Sequence, residues 1–465
     1  MSRRGTIAVL LAGALVAAAC GERGEDPSAT GTPGGSTEEA TAPSAEDDGG
    51  GDGDWGDLEA VCGPAEGDGP TPIGDDPAET QGLSEDSIKV GAVADPGAEA
   101  RPGLNQELFD AAEAFAAWCN DAGGINGRQV DLTLYDSALS NYQPRVEEAC
   151  DVEFAMVGSG AIQDNLWPTI GAPCDLIDFP AVSINPNKSG FAGEAGEARV
   201  VHAIPNPADR QTVAAAAVLQ EEFPEAPAAS SMLWADLQVS IDQAEKQAGA
   251  LETLGNEFVH DATYNVLGEA SWTPLATSIE QAGVTWLRMV GVPEHVALLQ
   301  QSFDEIGYQP DVTALNPNVY DPSYLSAAAG SAEGTFVETT FRPFEEADDN
   351  PATREYIDQV EANGGKVALL GAQAISSWLL FATSARDCDR EGDLSRSCLL
   401  EKGTQVTEWT GGGLHAPTSP AENEGSPCTI VLRVEGDEFV RHAPLDEDYA
   451  CDPDWIVDVD DAGGG

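Results

Sequence analysis

Small polar residues and carboxylates follow several short hydrophobic runs of this chain, close to where each run ends. If these runs are parallel strands of an open α/β sheet, ligands bind outside the carboxyl ends of the strands, and N–H groups of the following helices point toward them. The chemistry that this pattern favours is non-covalent binding of a small polar molecule. The candidate ligand-binding residues are Asp95, Ser159, Gly160, Ala161, Pro186, Asn187, Trp234, Asp236, Gln238, Glu294, Asn318 and Tyr320.

Signatures of catalysis are missing from the sequence. It has no GxxxxGK[ST] phosphate loop, no GxGxxG after the first strand, no HExxH and no GxSxG. The histidines lie too far apart in sequence to indicate a metal cluster. The prediction is therefore a binding protein with no metal and no cofactor. An enzyme on the same scaffold stays open as a minor alternative, because a serine, a histidine and an aspartate can meet in space from distant positions.

The elements that must position these residues begin with a strand–helix–strand unit. Residues 87–95 form an apolar strand, and residues 104–120 carry apolar side chains at helical spacing. Gly123 and Gly124 end that helix, because only glycine enters the left-handed conformation without a steric penalty. An Asn-Gly turn follows, and apolar and polar residues then alternate at 130–134, which predicts the second strand.

The same alternation of strands and helices recurs along the rest of the chain. Strands are predicted in EFAMVGSG, FPAVSI, RVVHAIP, SSMLWAD, VTWLRMVGV and GTFVETTF, and helices at 209–223, 239–254, 293–306 and 352–362. Such alternation indicates parallel sheets covered by helices on both faces, and the strands are too many for one sheet. The predicted fold class is α/β with two doubly wound parallel-sheet lobes. Toward the C-terminus, two strands joined at Gly436 and Asp437 form a β-hairpin.

Composition limits the partners of the protein. The chain has 465 residues, of which 42% are hydrophobic, so it can build the cores of two domains. Its 81 acidic and 21 basic residues give a formal net charge of -60. A surface of this kind repels phosphate backbones and anionic lipid headgroups, which excludes nucleic acid as a partner. Solubility of an exported protein is favoured over cation binding as the reason for the acidity.

The N-terminus resembles a bacterial lipoprotein signal. Arg3 and Arg4 precede an apolar stretch at 7–19 that is too short to span a bilayer, and small residues lead to Cys20. This resemblance implies cleavage before Cys20, which is then acylated and becomes the membrane anchor. An ordinary secretory signal cut nearby is the alternative. Residues 1–20 are therefore assigned to the signal, residues 21–82 to a disordered acidic tether, and residues 459–465 to a flexible tail.

Eight cysteines remain after Cys20, an even number that fits four disulfides in an oxidising compartment. Three pairings are predicted from proximity in sequence, and the fourth follows by elimination. The predicted pairs are Cys388–Cys398, Cys428–Cys451, Cys150–Cys174 and, by elimination, Cys62–Cys119. The last pair would join the segment before the first strand to the first long helix.

Three segments carry a resemblance to a known family. IKVGAVAD, then NDAGGINGRQVDLTLYD, then VGSGAIQ are similar to the opening of a type I periplasmic binding protein of the branched-chain amino-acid (leucine/isoleucine/valine) receptor family of ABC importers. The resemblance covers roughly residues 87–384. It implies two α/β lobes joined by a hinge of three crossovers, which close on a small ligand and deliver it to an ABC permease. The lobes are then expected at 83–206 with 340–414, and at 207–339 with 415–458.

In the first lobe, the resemblance implies a site after the third strand. The family's serine corresponds to Ser159, and Gly160 and Ala161 then offer N–H groups to a ligand carboxylate. In the next loop the family places an alanine and a threonine, and this chain has Pro186 and Asn187.

In the second lobe, two positions depart from the family. An aromatic residue of the family corresponds to Gln238, and its acidic amine-binding residue corresponds to Asn318, with Asp321 and Glu294 close by. Arg342 is interpreted as a surface ion-pair partner in preference to an anion contact at the hinge. The expected function is an extracytoplasmic solute-binding lipoprotein, with a ligand-sensing receptor for a signalling partner as the alternative; the departures leave the ligand open.

Overall fold

The computed structural model describes residues 53–65, 69–183, 185–189 and 199–459. The strands, in chain order, are β1 (Ser87–Ala94), β2 (Gln129–Asp136), β3 (Ala155–Val157), β4 (Ile177–Phe179), β5 (Arg210–Thr212), β6 (Ser230–Ala235), β7 (Phe258–Tyr264), β8 (Trp286–Val290), β9 (Val312–Leu315), β10 (Phe336–Thr339), β11 (Cys428–Glu435), β12 (Glu438–Ala443), β13 (Ala450–Cys451) and β14 (Ile456–Asp458). The α-helices are Pro77–Thr80, Gln106–Asp121, Tyr142–Cys150, Trp167–Ile170, Pro186–Ser189, Ala214–Glu222, Gln238–Thr253, Thr273–Ala282, Pro293–Ile306, Pro322–Ala328, Pro351–Ala362, Leu369–Arg390 and Arg396–Thr404.

The first sheet grows from the predicted strand–helix–strand unit. Its order is β2-β1-β3-β4 and all its pairs are parallel. β1 is buried along most of its length because helices cover both faces of the sheet, which explains its nearly continuous apolar sequence. The return to β2 needs Gly124, whose φ is +83°, since a Cβ there would lie 2.2 Å from the carbonyl oxygen of Arg128.

The second sheet contains the later strands. Its order is β12-β11-β10-β9-β8-β6-β7, and β13 pairs with β11. The pairs among β6 to β10 are parallel, whereas β11 and β12 are antiparallel additions at one edge. β11 and β12 are the predicted hairpin, and its turn lies at Gly436 and Asp437. The two sheets with their helices establish the two-lobed α/β fold.

Connections between the two sheets run side by side. The backbone N–H of Arg342 donates to the carbonyl of Leu414, and the N–H of Ala416 donates to the carbonyl of Thr340. The helix Leu369–Arg390 then returns the chain to the first sheet, where the ring of Trp378 stacks on Phe115 at 5.2 Å. Nearby, β5 pairs with β14, so the C-terminal segment joins the connection that leaves the first sheet.

Part of the predicted tether is folded, which corrects its end at residue 82. The N-terminal strap, which we define as residues 53–65 and 69–82, has a fully buried Trp55 and the short helix Pro77–Thr80. Its ordering is explained by Trp55, which packs edge-on against Trp118 at 4.9 Å, and by the disulfide of Cys62. The prediction failed because these apolar residues are few and far apart in a polar sequence.

Several predicted strands and helices have different bounds. The strand predicted in FPAVSI ends at Phe179, and RVVHAIP contributes one bridge between Val200 and Asp178. The helix predicted at 209–223 begins at Ala214, because residues 210–212 pair as β5. β7 and β9 were not predicted, and neither was the helix Leu369–Arg390, whose apolar residues surround it on all sides.

Disulfides join all eight cysteines of the described part of the chain. The pairs are Cys62–Cys119, Cys150–Cys174, Cys388–Cys398 and Cys428–Cys451, which confirms the sequence prediction. Cys20 and the predicted signal lie outside the described residues, and so does the tail from residue 460. Within the described ranges, no helix has the length and apolar character needed to cross a bilayer.

Candidate ligand-binding cleft

The carboxyl ends of the two sheets meet at an ion pair. Arg101 lies in the loop after β1, and Glu294 lies in the first turn of the helix that follows β8. The Nη2 atom of Arg101 is 3.3 Å from Oε2 of Glu294. This contact places the facing edges of the first and second sheets within one side chain of each other, as a cleft between two lobes requires.

Three aromatic side chains pack against one another beside this ion pair. The ring centroids of Tyr264, Trp272 and His295 lie 5.2 to 5.6 Å from one another. All three side chains are buried, and we call them the aromatic pocket. Gly291 allows their close packing, because a Cβ there would lie 2.4 Å from the hydroxyl oxygen of Tyr264, which donates a hydrogen bond to the carbonyl of Val290.

Burial controls the electrostatics of this region. It lowers the pKa of the Arg101 guanidinium, although the nearby Glu294 carboxylate acts in the opposite direction. Burial also lowers the pKa of His295, and the positive charge of Arg101 adds to the effect. The pKa of the Tyr264 hydroxyl is raised by burial. Arg101 is the positive group beside these rings, and the carboxylates of Asp236, Glu269 and Glu294 also act on Tyr264 or His295.

The first-lobe residues predicted at β1 and β3 hold loops together. Asp95 is fully buried and accepts hydrogen bonds from the hydroxyl of Ser137 and from the N–H groups of Leu139 and Ile162, the latter two at 2.7 and 2.8 Å. Because the carboxylate of Asp95 already accepts from three donors, it holds together the segments that follow β1, β2 and β3. Its interpretation as a ligand contact stays a prediction.

Ser159, Gly160 and Ala161 lie at the end of β3 as predicted, but they are buried. The N–H of Gly160 donates to the carbonyl of Val93 at 2.9 Å, so it is not available to a ligand carboxylate. The carbonyl of Ser159 accepts from the N–H of Ala181 at 2.9 Å. These bonds explain why strand ends rich in glycine need not form an anion site: the backbone groups pair with neighbouring loops.

Pro186 and Asn187 belong to the short helix Pro186–Ser189, and Asn187 is exposed. The next residue, Lys188, turns inward, and its Nζ atom lies 2.5 Å from Oδ2 of the fully buried Asp178. Burial raises the pKa of Asp178, while the charge of Lys188 lowers it. The sequence prediction missed this buried pair, because no periodic pattern marks an inward lysine in a loop.

Two second-lobe candidates lie at the cleft edge of the second sheet but bind neighbouring groups. Asp236 is exposed and accepts a hydrogen bond from the N–H of Val266 at 2.6 Å. Gln238 begins the helix Gln238–Thr253 and donates to Asp242 at 2.7 Å. Trp234 lies within β6, is partly buried and packs against a hydrophobic core cluster of the second sheet, and its role as a ligand contact stays a prediction.

Asn318 lies at the aromatic pocket, whereas Tyr320 does not contact a cleft. The amide of Asn318 donates to the carbonyl of Gly291 at 2.8 Å. Tyr320 is only 2% exposed, stacks on Phe344 at 4.6 Å and donates its hydroxyl to Glu345. Of the predicted residues, the structure therefore brings Glu294 and Asn318 together around one pocket, and it assigns Tyr320 to the core.

A second contact joins the two sheets through Lys366. Its Nζ atom lies 2.9 Å from Glu107, which begins the helix after β1, and 2.8 Å from Asp321, which follows β9. Burial raises the pKa of Glu107, whereas the charge of Lys366 opposes the shift. Burial lowers the pKa of Lys366, but the two carboxylates outweigh it and the net shift is upward.

Arg342 pairs with Asp448, which agrees with its interpretation as an ion-pair partner.

A serine and a histidine lie within hydrogen-bond distance of each other. The hydroxyl of Ser376 is 2.8 Å from Nε2 of His415, yet both side chains are buried at 0% and 1% exposure, out of reach of a substrate. Among the described residues, no group of three or more histidine, cysteine and carboxylate side chains could hold a metal ion.

Two cavities lie along the connection at β5, away from the predicted residues. One is lined by 205–207, 210–212, 424–425 and Ile456. The other includes Arg288 and Glu338 in its wall. Arg288 is fully engaged there, because it donates to Gln247, Asn316 and Glu338.

The sequence and the fold place the chain in a known class. The chain belongs to the periplasmic binding protein family, whose model matches residues 87–438. No curated protein matches it in sequence.

Several solved structures share its fold. A fatty-acid ABC transporter substrate-binding protein from Thermomonospora curvata superposes with a TM-score of 0.67 at 13% identity, over 82% of this chain and 95% of that one. A branched-chain amino-acid ABC transporter protein from Thermus thermophilus, solved with bound valine, has a TM-score of 0.63 at 16% identity over 80% and 98%. A leucine-binding protein from Thermotoga maritima has a TM-score of 0.62 at 14% identity over 77% and 98%. These structures support the type I fold.

Proposed function

We propose that this chain is an extracytoplasmic solute-binding protein that captures a small polar or amino-acid-like molecule between its two lobes and delivers it to the permease of an ABC importer. The observation that carries the proposal is the contact of Arg101 with Glu294, which brings the carboxyl ends of the two sheets face to face. Ligands of open α/β sheets bind at such ends. The relatives' own ligands, leucine, valine and fatty acids, support a small-molecule ligand for this member.

In this proposal the lobes comprise 83–206 with 340–414, and 207–339 with 415–458. Closure replaces water around the ligand by preorganised groups of both lobes, and the permease recognises the closed shape. The ligand leaves chemically unchanged, so neither a cofactor nor a catalytic residue takes part. Deletion of the protein from its host should abolish uptake of the bound compound, whereas a signalling role would leave uptake intact and remove a transcriptional response.

The test begins with native mass spectrometry of the purified protein, to identify a co-purifying small molecule, followed by calorimetric titration of that molecule. A Gly291→Ala variant should weaken binding by about tenfold or more, because the added Cβ displaces Tyr264 of the aromatic pocket. Gly249→Ala is the matched control, because that glycine lies within a helix and a Cβ there meets no atom within 4 Å. Equal affinities of the two variants would contradict a ligand site at this pocket.

We further propose that acylated Cys20 anchors the protein to the outer face of the cell membrane. Residues 21–52 then act as an acidic spacer before the strap. The protein should partition with membranes and carry a lipid-modified Cys20 in peptide mass spectrometry. A Cys20→Ser variant should appear in the medium or the soluble extracytoplasmic fraction; its retention in the membrane fraction would contradict the anchor.

A further inference from the structure

We propose that Arg101 binds an anionic group of the ligand, a carboxylate attached to an apolar body, and that Glu294 is the intramolecular competitor which this carboxylate replaces. The inference rests on the proposed function and specifies the ligand class of its cleft. It concerns residues that lie in the loop after β1 and in the turn after β8.

The first observation is the incomplete bonding of the Arg101 guanidinium. A guanidinium offers five N–H donors in a fixed fork that matches a carboxylate. Among the described residues, the side chain of Arg101 makes a single hydrogen bond, to Glu294 at 3.3 Å. The side chain is nevertheless only 19% exposed. Its remaining donors bind no acceptor among the described residues and keep some exposure, so they are available to a second anion.

The second observation is the weakness of the present partner. The Glu294 side chain is 53% exposed, and a single long contact to an exposed carboxylate contributes little to stability. A ligand carboxylate enclosed between the lobes would form a two-pronged contact with the guanidinium in a less polar environment, where such bonds are stronger. Replacement of Glu294 by the ligand therefore costs little and gains a better hydrogen-bond geometry.

The third observation is an unused donor in the adjacent wall. Trp272 is 4% exposed, and its indole Nε1 has no hydrogen-bond partner among the described residues. An indole N–H is a donor only, so a buried partner for it must be an acceptor such as a carboxylate or carbonyl oxygen. It lies in the same aromatic pocket as Tyr264 and His295, both of which interact electrostatically with Arg101.

Together these residues define a ligand with two parts. The guanidinium and the indole N–H supply donors for oxygen atoms, and the faces of the aromatic pocket supply an apolar wall. A cationic head group is disfavoured, because Arg101 lies between the lobes and would repel it.

The experiment measures binding of matched acid and amide probes by calorimetry, with phenylacetate against phenylacetamide and isovalerate against isovaleramide. The full mature chain is compared with Arg101→Gln and Glu294→Gln variants, each checked for an unchanged melting temperature. We expect the unmodified protein to prefer the acids. Arg101→Gln should weaken acid binding by about 10- to 100-fold, the loss of a charged two-pronged contact. Glu294→Gln should strengthen it several-fold, because the competitor is gone.

Opposite effects of the two variants are the signature of the proposal. If the ion pair is only a latch that holds the lobes closed, both substitutions weaken binding alike, and the proposal is overturned. Tighter binding of isoamylamine than of isovalerate, equal binding of acids and amides, or no binding of any acid also overturns it. A co-purified ligand whose affinity is independent of Arg101 would reject this inference while leaving the solute-binding function in place.

Discussion

His415 is a residue whose charge state is set by its surroundings. It lies in the connection that follows the helix Leu369–Arg390 and is 1% exposed. Its Nδ1 atom lies 2.8 Å from the carbonyl of Ala416, and its Nε2 lies 2.8 Å from the hydroxyl of Ser376, which also accepts from the indole N–H of Trp409. Burial lowers the pKa of His415 to about 4, so the ring stays neutral well below the usual range of histidine.

This lowered pKa makes stability depend on pH with a definite sign. The unfolded chain binds a proton at His415 below about pH 6.5, whereas the folded chain does so only below about 4. The stability that the neutral ring contributes is therefore complete above about pH 6.5 and is lost as pH falls toward 4, by at most roughly 3 kcal/mol. Urea denaturation of a His415→Gln variant between these pH values should show a shallower loss than the unmodified protein.

Ser376→Ala is the control for this prediction. It removes the two buried hydrogen bonds of Ser376 with His415 and Trp409 and should lower stability at every pH by about 1 to 3 kcal/mol, but it keeps the titrating ring and hence the pH slope. An identical slope in the unmodified protein and the His415→Gln variant would show that His415 does not titrate differently in the two states.

Single residues also show how far sequence predicts a site. Glu294 was found because it follows a predicted strand, and Asn318 through its correspondence with the family's acidic residue. The structure places both at the aromatic pocket. Arg101 was missed because it lies in an irregular loop several residues beyond β1, where no repeat indicates side-chain direction. The ring of Tyr320 is buried, which shows that position after a strand does not say whether a side chain points to the cleft or to the core.

The N-terminal strap is the element that most changes the architecture expected for the family. It lies before residue 87, where the match to the family model begins. Arg128 and Asp389 form a buried pair at 2.7 Å beneath it, and Thr71 of the strap donates its N–H to Asp389 at 3.0 Å. The N–H of Asp57 donates to the carbonyl of Gly412, next to the connections between the sheets.

We expect the strap to contribute directly to folding stability. A Trp55→Ala variant should lose about 3 to 5 kcal/mol of unfolding free energy in urea denaturation, because it removes a fully buried ring that packs on Trp118. Leu445→Ala is the control, since that side chain is 76% exposed and its removal should change stability by less than about 0.5 kcal/mol. A strap that is merely laid on the surface would give the two variants the same stability.

Helices with sequence signals at both ends were predicted with correct bounds, whereas strands of mixed polar sequence were missed. The helix Pro293–Ile306 has a proline in its first turn and Gly307 in the left-handed conformation at its end, so its predicted bounds were confirmed. β7 is an edge strand whose exposed positions alternate with partly buried ones, and its mixed polar sequence gives a weak signal. Its pairing with β6 depends on contacts that only the assembled sheet supplies.

At the scale of the whole molecule, like charges dominate. A formal net charge of -60 on 465 residues produces repulsion that the compact state concentrates and the unfolded chain relieves. Added salt screens this repulsion, because the Debye length falls from roughly 30 Å at about 0.01 M to roughly 3 Å at about 1 M. Surface ion pairs are screened too, but each contributes little.

We therefore expect the melting temperature to rise with sodium chloride concentration, most steeply at low salt where screening changes fastest. The gain should shrink near pH 4, where many carboxylates are protonated and the repulsion is smaller. Differential scanning calorimetry across both variables tests this. A melting temperature that falls with salt at neutral pH would mean that attractive ion pairs outweigh the net repulsion.

Closure of the lobes depends on a few cross-lobe contacts, and Lys366 makes one of them with two nearly buried carboxylates. Its ammonium lies between Glu107, on the side of the first sheet, and Asp321, on the side of the second. Both carboxylates have side chains only 6% exposed. Without Lys366 they would face each other with no countercharge, and a partly buried pair of like charges is repulsive.

A Lys366→Met variant should accordingly shift the protein toward an open form. Spin labels at the exposed positions Val152 and Val259, one in each lobe, should report longer distances, and the affinity for the identified ligand should fall in proportion to the lost closed population. Adding Glu107→Gln to that variant should restore much of the closed distance, because it removes one of the two facing charges. Lys402→Met, which breaks the pair with Glu391 on a distant helix, should change neither quantity. If Lys366→Met leaves the label distances unchanged while it lowers thermal stability, the lysine stabilises the fold of the chain and does not govern the angle between its lobes.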